Sequence, residues 1–140
     1  MWRVLAFSLV ACALGCKREL PPIRVDAGAV EFVDDNFDAL YSMFLLRKVA
    51  PGPKAAAWGR FYHRWVRWTG TLVSFTVNGA TFKHLDSTVT FDVSLYVEPA
   101  ARPRLHRFKP GDRVTYVGQL DSYDDVFRTL YLVHGDVAPP

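Results

Sequence analysis

The sequence predicts a mainly β domain, a five-stranded closed or partly open barrel preceded by one or two N-terminal α-helices. Three observations predict it. From Trp65 to the C-terminus apolar residues alternate with polar ones at a period of two, as strands with one buried face require. Turn-forming clusters at Asn78-Gly79, Asp86-Ser87, Lys109-Pro110-Gly111-Asp112 and Asp121-Ser122-Tyr123-Asp124-Asp125 cut that region into short segments. Ahead of Trp65 the apolar spacing is instead three and four, the period of a helix face. The chain of 140 residues holds one ordinary domain, and half of its residues are apolar, enough for a packed core.

The helical region spans 34–64. Asp34, Asp35 and Asn36 offer N-caps, after which Phe37, Leu40, Tyr41, Phe44 and Leu45 fall on one face. Arg47 and Lys48 suit the negative end of that helix, and Pro51-Gly52-Pro53 is expected to end it. A second helical stretch carries Trp58, Phe61, Tyr62 and Trp65 as an aromatic stripe, with Ala55 to Ala57 favouring helix; core packing is its expected role.

The barrel spans 65–137. Its first strand is Trp65 to Thr76, with a bend or bulge expected at Gly70. Thr81 to Leu85 follows the Asn78-Gly79 hairpin turn as the second strand. The third, Thr88 to Val97, places Val89, Phe91, Val93, Leu95 and Val97 toward the core and Thr90, Asp92, Ser94 and Tyr96 on the open face. Glu98 to Phe108, interrupted by Pro99 and Pro103, is a connection with room for a short helix. Arg113 to Leu120 and Thr129 to Asp136 are the fourth and fifth strands, joined by a loop over 121–125.

At the other end of the chain, residues 1–15 read as an export signal. A single charge, Arg3, precedes an uncharged apolar run from Val4 to Gly15, too short to span a bilayer as a helix. Ala13-Leu14-Gly15-Cys16 resembles a lipobox, whose cysteine thiol accepts the diacylglycerol anchor. Leu9-Val10-Ala11-Cys12 fits by residue type but leaves a shorter apolar run, so Cys16 is the expected acylation site. Residues 16–33 then form a tether containing Pro21-Pro22. These are the chain's two cysteines, so cleavage before Cys16 leaves no thiol pair for a disulfide. Lys17 rather than aspartate follows the cysteine, which favours the outer membrane if a sorting rule like that of enteric bacteria applies.

Charge narrows the partners. The formal net charge of +3 falls to +2 once Arg3 is removed. From Arg64 to Val137 nine Lys or Arg face eight Asp or Glu, a balance that gives little long-range attraction for a polyanion. Nucleic acid is therefore not the expected partner. Arg102, Arg104, His106, Arg107 and Lys109 make one local basic cluster, read as a solvated connection, with lipid headgroups or an acidic partner as the alternative. Asp121, Asp124 and Asp125 lack the spacing of a calcium loop, and His63, His84, His106 and His134 lack ligand spacing; no metal site and no cofactor are assigned. No serine stands in a nucleophile context, so no catalytic residue is assigned.

The segments Trp65-Val66-Arg67-Trp68-Thr69-Gly70-Thr71-Leu72-Val73, Gly111-Asp112-Arg113-Val114-Thr115-Tyr116-Val117-Gly118-Gln119-Leu120 and Leu130-Tyr131-Leu132-Val133-His134-Gly135-Asp136-Val137 resemble strands of the tRNA-anti-like OB-fold family, which includes many small bacterial lipoproteins. The resemblance covers roughly residues 35 to 137. It implies a ligand surface across the second and third strands, flanked by the first and last hairpin loops. Carried onto this chain, that surface comprises Asn78, Lys83, Thr90, Asp92, Ser94, Tyr96, Tyr123 and Asp124.

The expected function is accordingly a membrane-anchored envelope lipoprotein with a non-catalytic binding module for a protein, glycan or small molecule. Two alternatives stay open: a metal-dependent envelope nuclease or other hydrolase using Asp92 and nearby basic residues, and a structural or assembly subunit docking through its N-terminal helices.

Overall fold

The computed structural model describes residues 31–87 and 90–140. The expected export signal, Cys12 and Cys16, the expected tether before Glu31, and Thr88 and Val89 of the expected third strand lie outside the described residues. Among the described residues, α1 is Phe37–Tyr41, continued by a π-helical turn over Ser42–Leu46, and α2 is Pro51–Trp58. The strands are β1, Trp65–Thr76; β2, Gly79–Lys83; β3, Val93–Val97; β4, Arg113–Asp124; and β5, Thr129–Val137. A 3₁₀ turn over Pro99–Ala101 and the single helical turn α3, Arg102–Leu105, connect β3 to β4.

The strands close into a barrel in the order β1-β2-β3-β5-β4. All pairings are antiparallel except β3 with β5, which run parallel with Val93 opposite Leu130 and Leu95 opposite Leu132. β1 serves two neighbours: Trp65 to Thr71 pair with β4, and Thr71 to Thr76 pair with β2. The register slip that lets one strand turn the corner lies between Leu72 and Ser74, not at Gly70 as the composition predicted. The parallel seam is tight because Leu95 packs into space left by two glycines. A Cβ on Gly118 would lie 2.8 Å from Leu95 Cδ1, and one on Gly135 2.6 Å from Leu95 Cγ and from the Tyr96 carbonyl oxygen.

Inward-facing Val66, Leu72, Phe82, Leu95, Tyr116 and Leu132 are at most 1% exposed and form the barrel interior. Phe37, Leu40, Tyr41, Phe44 and Leu45 join the same core. The helical face read from spacing is thus the face that packs. Asn36 caps α1, its Oδ1 accepting from Ala39 N at 2.9 Å.

Four expectations need correction. Pro51-Gly52-Pro53 does not merely end a helix; it opens α2, because proline at the first helical position gives up an N–H that has no partner anyway and presets φ. The aromatic stripe is not one helix: α2 stops at Trp58, Phe61 and Tyr62 stand in a turn, and Trp65 already belongs to β1. The expected 121–125 loop is mostly strand, because Tyr123 packs under the helices, stacked on Phe44 at 5.6 Å and edge-on to Trp58 at 4.8 Å, and so extends the β4–β5 hairpin. The third strand begins only at Val93, because Asp92 is drawn inward by donors on the segment after β2.

Candidate ligand-binding surface

The strand alternation breaks at Asp92. It was expected on the open face, yet it is completely buried, as is its neighbour Val93, while Phe91 is only half-buried. Its carboxylate gathers three donors: Oδ2 accepts from the backbone N–H groups of His84 at 2.8 Å and Leu85 at 3.0 Å, and Oδ1 accepts from His84 Nδ1 at 2.7 Å. A buried carboxylate is tolerable only when so satisfied, and this one secures the end of β2 to the start of β3.

His84 extends the chain of contacts. Its Nε2 lies 3.1 Å from the Tyr116 hydroxyl, and its ring stacks on Phe37 at 4.0 Å. Burial, and after it the Asp92 charge, pushes the Tyr116 phenol well above its usual pKa. The hydroxyl therefore stays protonated and can donate to Nε2 while Nδ1–H serves Asp92. Gly70 makes room for the ring, since a Cβ there would sit 2.6 Å from Nε2.

A surface pocket of about 310 Å³ opens beside this network, lined by Asn36, Phe37, Asp38, Arg67, Trp68, Thr69 and His84. An Asp–His pair below a pocket has the composition of a general base, but the geometry points elsewhere. His84 Nε2 is turned to Tyr116, which is 0% exposed inside the barrel, so a proton passed along the chain reaches the core rather than the pocket. The network is a polar staple between β2, β3 and β4.

The other expected site residues separate into two groups. Lys83, Ser94 and Tyr96 share the outer face of β2 and β3, where Thr81 pairs with Ser94 and Gly79 with Tyr96. Tyr96 is 40% exposed, and the Arg102 guanidinium lies over its ring at 5.6 Å. Asn78 is exposed at the β1–β2 turn, its carbonyl accepting from Val97 N at 2.9 Å, and Thr90 is exposed just before Asp92. Tyr123 and Asp124, by contrast, serve the β4–β5 hairpin rather than this face. Asp124 Oδ1 accepts from Val126 N at 2.7 Å and Phe127 N at 2.9 Å, which shapes the turn.

Several of the remaining acids and bases are paired. Asp125 is held by Lys54 of α2, and Asp121 accepts from Ser122. Arg104 leaves the basic cluster: it is 4% exposed and forks onto Asp136 of β5, with Nη2 at 2.6 and 2.7 Å from the two oxygens and Nε at 3.1 Å. Sequence spacing missed both the Asp92–His84–Tyr116 network and this pair, because their members lie 8 and 32 positions apart.

No protein-family model matches the chain, and no curated protein matches it. Among solved structures, a chain from Klebsiella pneumoniae subsp. pneumoniae, described as a candidate nucleic acid-binding lipoprotein, is similar at 17% identity and a TM-score of 0.48, over 74% of this chain and 98% of that one. The chain is a closed five-stranded barrel of the OB type on the strength of its own strand order and its parallel β3–β5 seam.

Proposed function

We propose that the chain is a lipid-anchored protein of the bacterial envelope, acylated at Cys16, whose barrel is a non-catalytic binding module of the tRNA-anti-like kind. The observation that carries the non-catalytic reading is the position of Asp92. The nuclease alternative needs that carboxylate on the open face, and it is instead buried on His84 and two backbone amides. The outer face of β2 and β3 keeps Lys83, Ser94 and Tyr96 as polar and aromatic groups for a ligand, with Asn78 and Thr90 at its edges. The near balance of charge over the barrel supports a protein, glycan or small molecule over a polyanion. The helical face offers less to an assembly partner, since Phe37, Leu40 and Phe44 are already spent on the barrel.

Photo-crosslinking from the full chain in cells tests the surface. A benzophenone side chain at position 94 or 96 is expected to capture a partner, and one at position 62 is not. Adducts from position 62 alone would transfer the function to the helical segment. Metal-dependent cleavage of a single-stranded oligonucleotide by the purified chain would restore the nuclease. Palmitate labelling lost in Cys16→Ala and kept in Cys12→Ala is the expected result for the anchor, and the reverse moves it to Cys12.

A further inference from the structure

The β4–β5 hairpin ends in two large apolar side chains with no core to enter. Val126 is 84% exposed and Phe127 73%. The tip is nevertheless held in shape. Asp124 accepts from both of their backbone N–H groups, Thr129 Oγ1 donates to the Phe127 carbonyl at 3.1 Å, and Tyr41 Oη donates to the Arg128 carbonyl at 3.0 Å. Arg128 takes a left-handed φ of 51°, a conformation costly for a residue with a side chain. A loop so secured keeps its apolar residues pointed at solvent.

A second exposed apolar pair stands close by. Leu46 and Val49, 52% and 41% exposed, occupy the connection between α1 and α2, and both ends of that connection are tied to the hairpin tip: Tyr41 to Arg128 and Lys54 to Asp125. Arg47 and Lys48 are exposed between them, and Arg128 is exposed beside Phe127. Of the nearby acids, Asp125 is paired with Lys54, while Asp124 accepts the turn amides and keeps its charge. The result is two exposed apolar pairs on tied segments, where Arg47, Lys48 and Arg128 outweigh the Asp124 carboxylate, the chemistry of a surface that enters the headgroup region of an anionic bilayer.

The chain start lies at this end of the molecule. Val33 N donates to the Trp65 carbonyl at 2.8 Å, so the described chain begins beside the first residue of β1. Trp65 pairs with Gln119, and β4 continues five residues further, to Asp124, before the tip. At about 3.4 Å per residue the hairpin projects roughly 17 Å beyond that point. The β1–β2 turn with exposed Val77 lies instead at the far end of β1. The fifteen peptide steps from Cys16 to Glu31 span at most about 50 Å, so a lipid on Cys16 holds the start of β1 within that distance of the bilayer.

We infer that the β4–β5 tip and the α1–α2 connection form a membrane-contact surface, in which Val126, Phe127, Leu46 and Val49 enter an anionic lipid interface and Arg47, Lys48 and Arg128 meet its headgroups. The inference rests on the lipid-anchor reading for its orientation, and the test therefore imposes the anchor. Among the described residues the buried core lies between Phe37 and Val137, so a chain from Glu31 to Pro140 retains that core and contains no cysteine. That chain, carrying an N-terminal hexahistidine, is tethered to phosphatidylethanolamine–phosphatidylglycerol vesicles containing a nickel-chelating lipid.

Val126→Cys and Val77→Cys are each labelled with an environment-sensitive fluorophore. Tethering is expected to raise emission about threefold or more, with a blue shift, at position 126 and to leave position 77 unchanged. Reversing Arg47 and Lys48 to glutamate is expected to remove most of that rise, as is replacing phosphatidylglycerol by phosphatidylcholine. No rise at position 126, or equal rises at both positions, overturns the inference. A rise that follows protein concentration without vesicles also overturns it, by assigning the tip to self-association. Loss of palmitate labelling at Cys16 bears on the anchor alone and leaves these readings unaffected.

Discussion

Removing the Asp92 carboxylate is the most informative perturbation of the barrel. In Asp92→Ala, His84 N, Leu85 N and His84 Nδ1 lose their acceptor together, in a site where Asp92 is 0% exposed and water cannot replace it without opening the structure. Hydrogen bonds to a charged acceptor contribute about 1.5–3 kcal/mol each, and breaking a buried charged network by deleting one member costs about 3–5 kcal/mol. For a domain of this size about 1 kcal/mol shifts Tm by roughly 4 °C, so Asp92→Ala is expected to lower Tm by about 12–20 °C. Asp92→Asn keeps the shape and one oxygen. That oxygen can hold the two backbone amides while the amide NH₂ faces His84 Nδ1, so the loss is expected to be about half as large. The assay is thermal and urea unfolding followed by circular dichroism, repeated in a His84→Phe background, which keeps the stack on Phe37. Asp92→Ala is expected to cost less there by about 1.5–3 kcal/mol, the worth of the bond to His84. If Asp92→Ala moves Tm by less than about 4 °C, the carboxylate faces solvent as the simple alternation predicted, and the nuclease reading regains its acid.

Further outcomes follow from neighbouring geometry. Gly70→Ala would bring a Cβ to 2.6 Å from a His84 ring that Asp92, Tyr116 and Phe37 hold in place; it is expected to cost about 1–3 kcal/mol, measured by urea unfolding. Because the folded-state pKa of Tyr116 is raised, its contribution is complete below the ordinary phenol pKa of about 10 and is lost as the unfolded state ionises above it, by up to about 1.4 kcal/mol per pH unit. Unfolding scans from pH 9 to 11 are expected to show a steeper alkaline loss for the native chain than for Tyr116→Phe. Arg104→Ala strands Asp136 in a nearly buried site and is expected to cost about 3–5 kcal/mol, with faster amide exchange in α3. Asp124→Ala removes the acceptor for two turn amides and is expected to cost about 1 kcal/mol and to speed exchange at Val126 and Phe127 first.

Where side-chain periodicity is a direct consequence of burial, the chain can be read without its structure. Val93, Leu95 and Val97 point inward while Ser94 and Tyr96 do not, as alternation requires, and Trp65 to Thr76 is one strand with the expected bounds. Phe37, Leu40 and Phe44 pack because their spacing puts them on one helical face. Periodicity fails where a polar side chain is drawn inward by partners distant in sequence. Asp92 breaks the alternation because three donors await it on the segment after β2, and Arg104 leaves an apparent basic cluster because Asp136 comes alongside only when β5 closes the barrel.

The candidate surface divides along the same line. That Lys83, Ser94 and Tyr96 share an open face follows from alternation and the hairpin turns. That Tyr123 and Asp124 belong to another part of the molecule follows from the helices, which pack against β4 and lengthen the hairpin past its turn-forming residues. Local composition therefore carried the strand count, the amphipathic helix and the open face, because these depend on neighbours within a few positions. The closure of the barrel, the parallel seam at Leu95, the staple at Asp92 and the projection of Val126 and Phe127 depend on which residues meet across the fold, and only the tertiary structure brings those partners together.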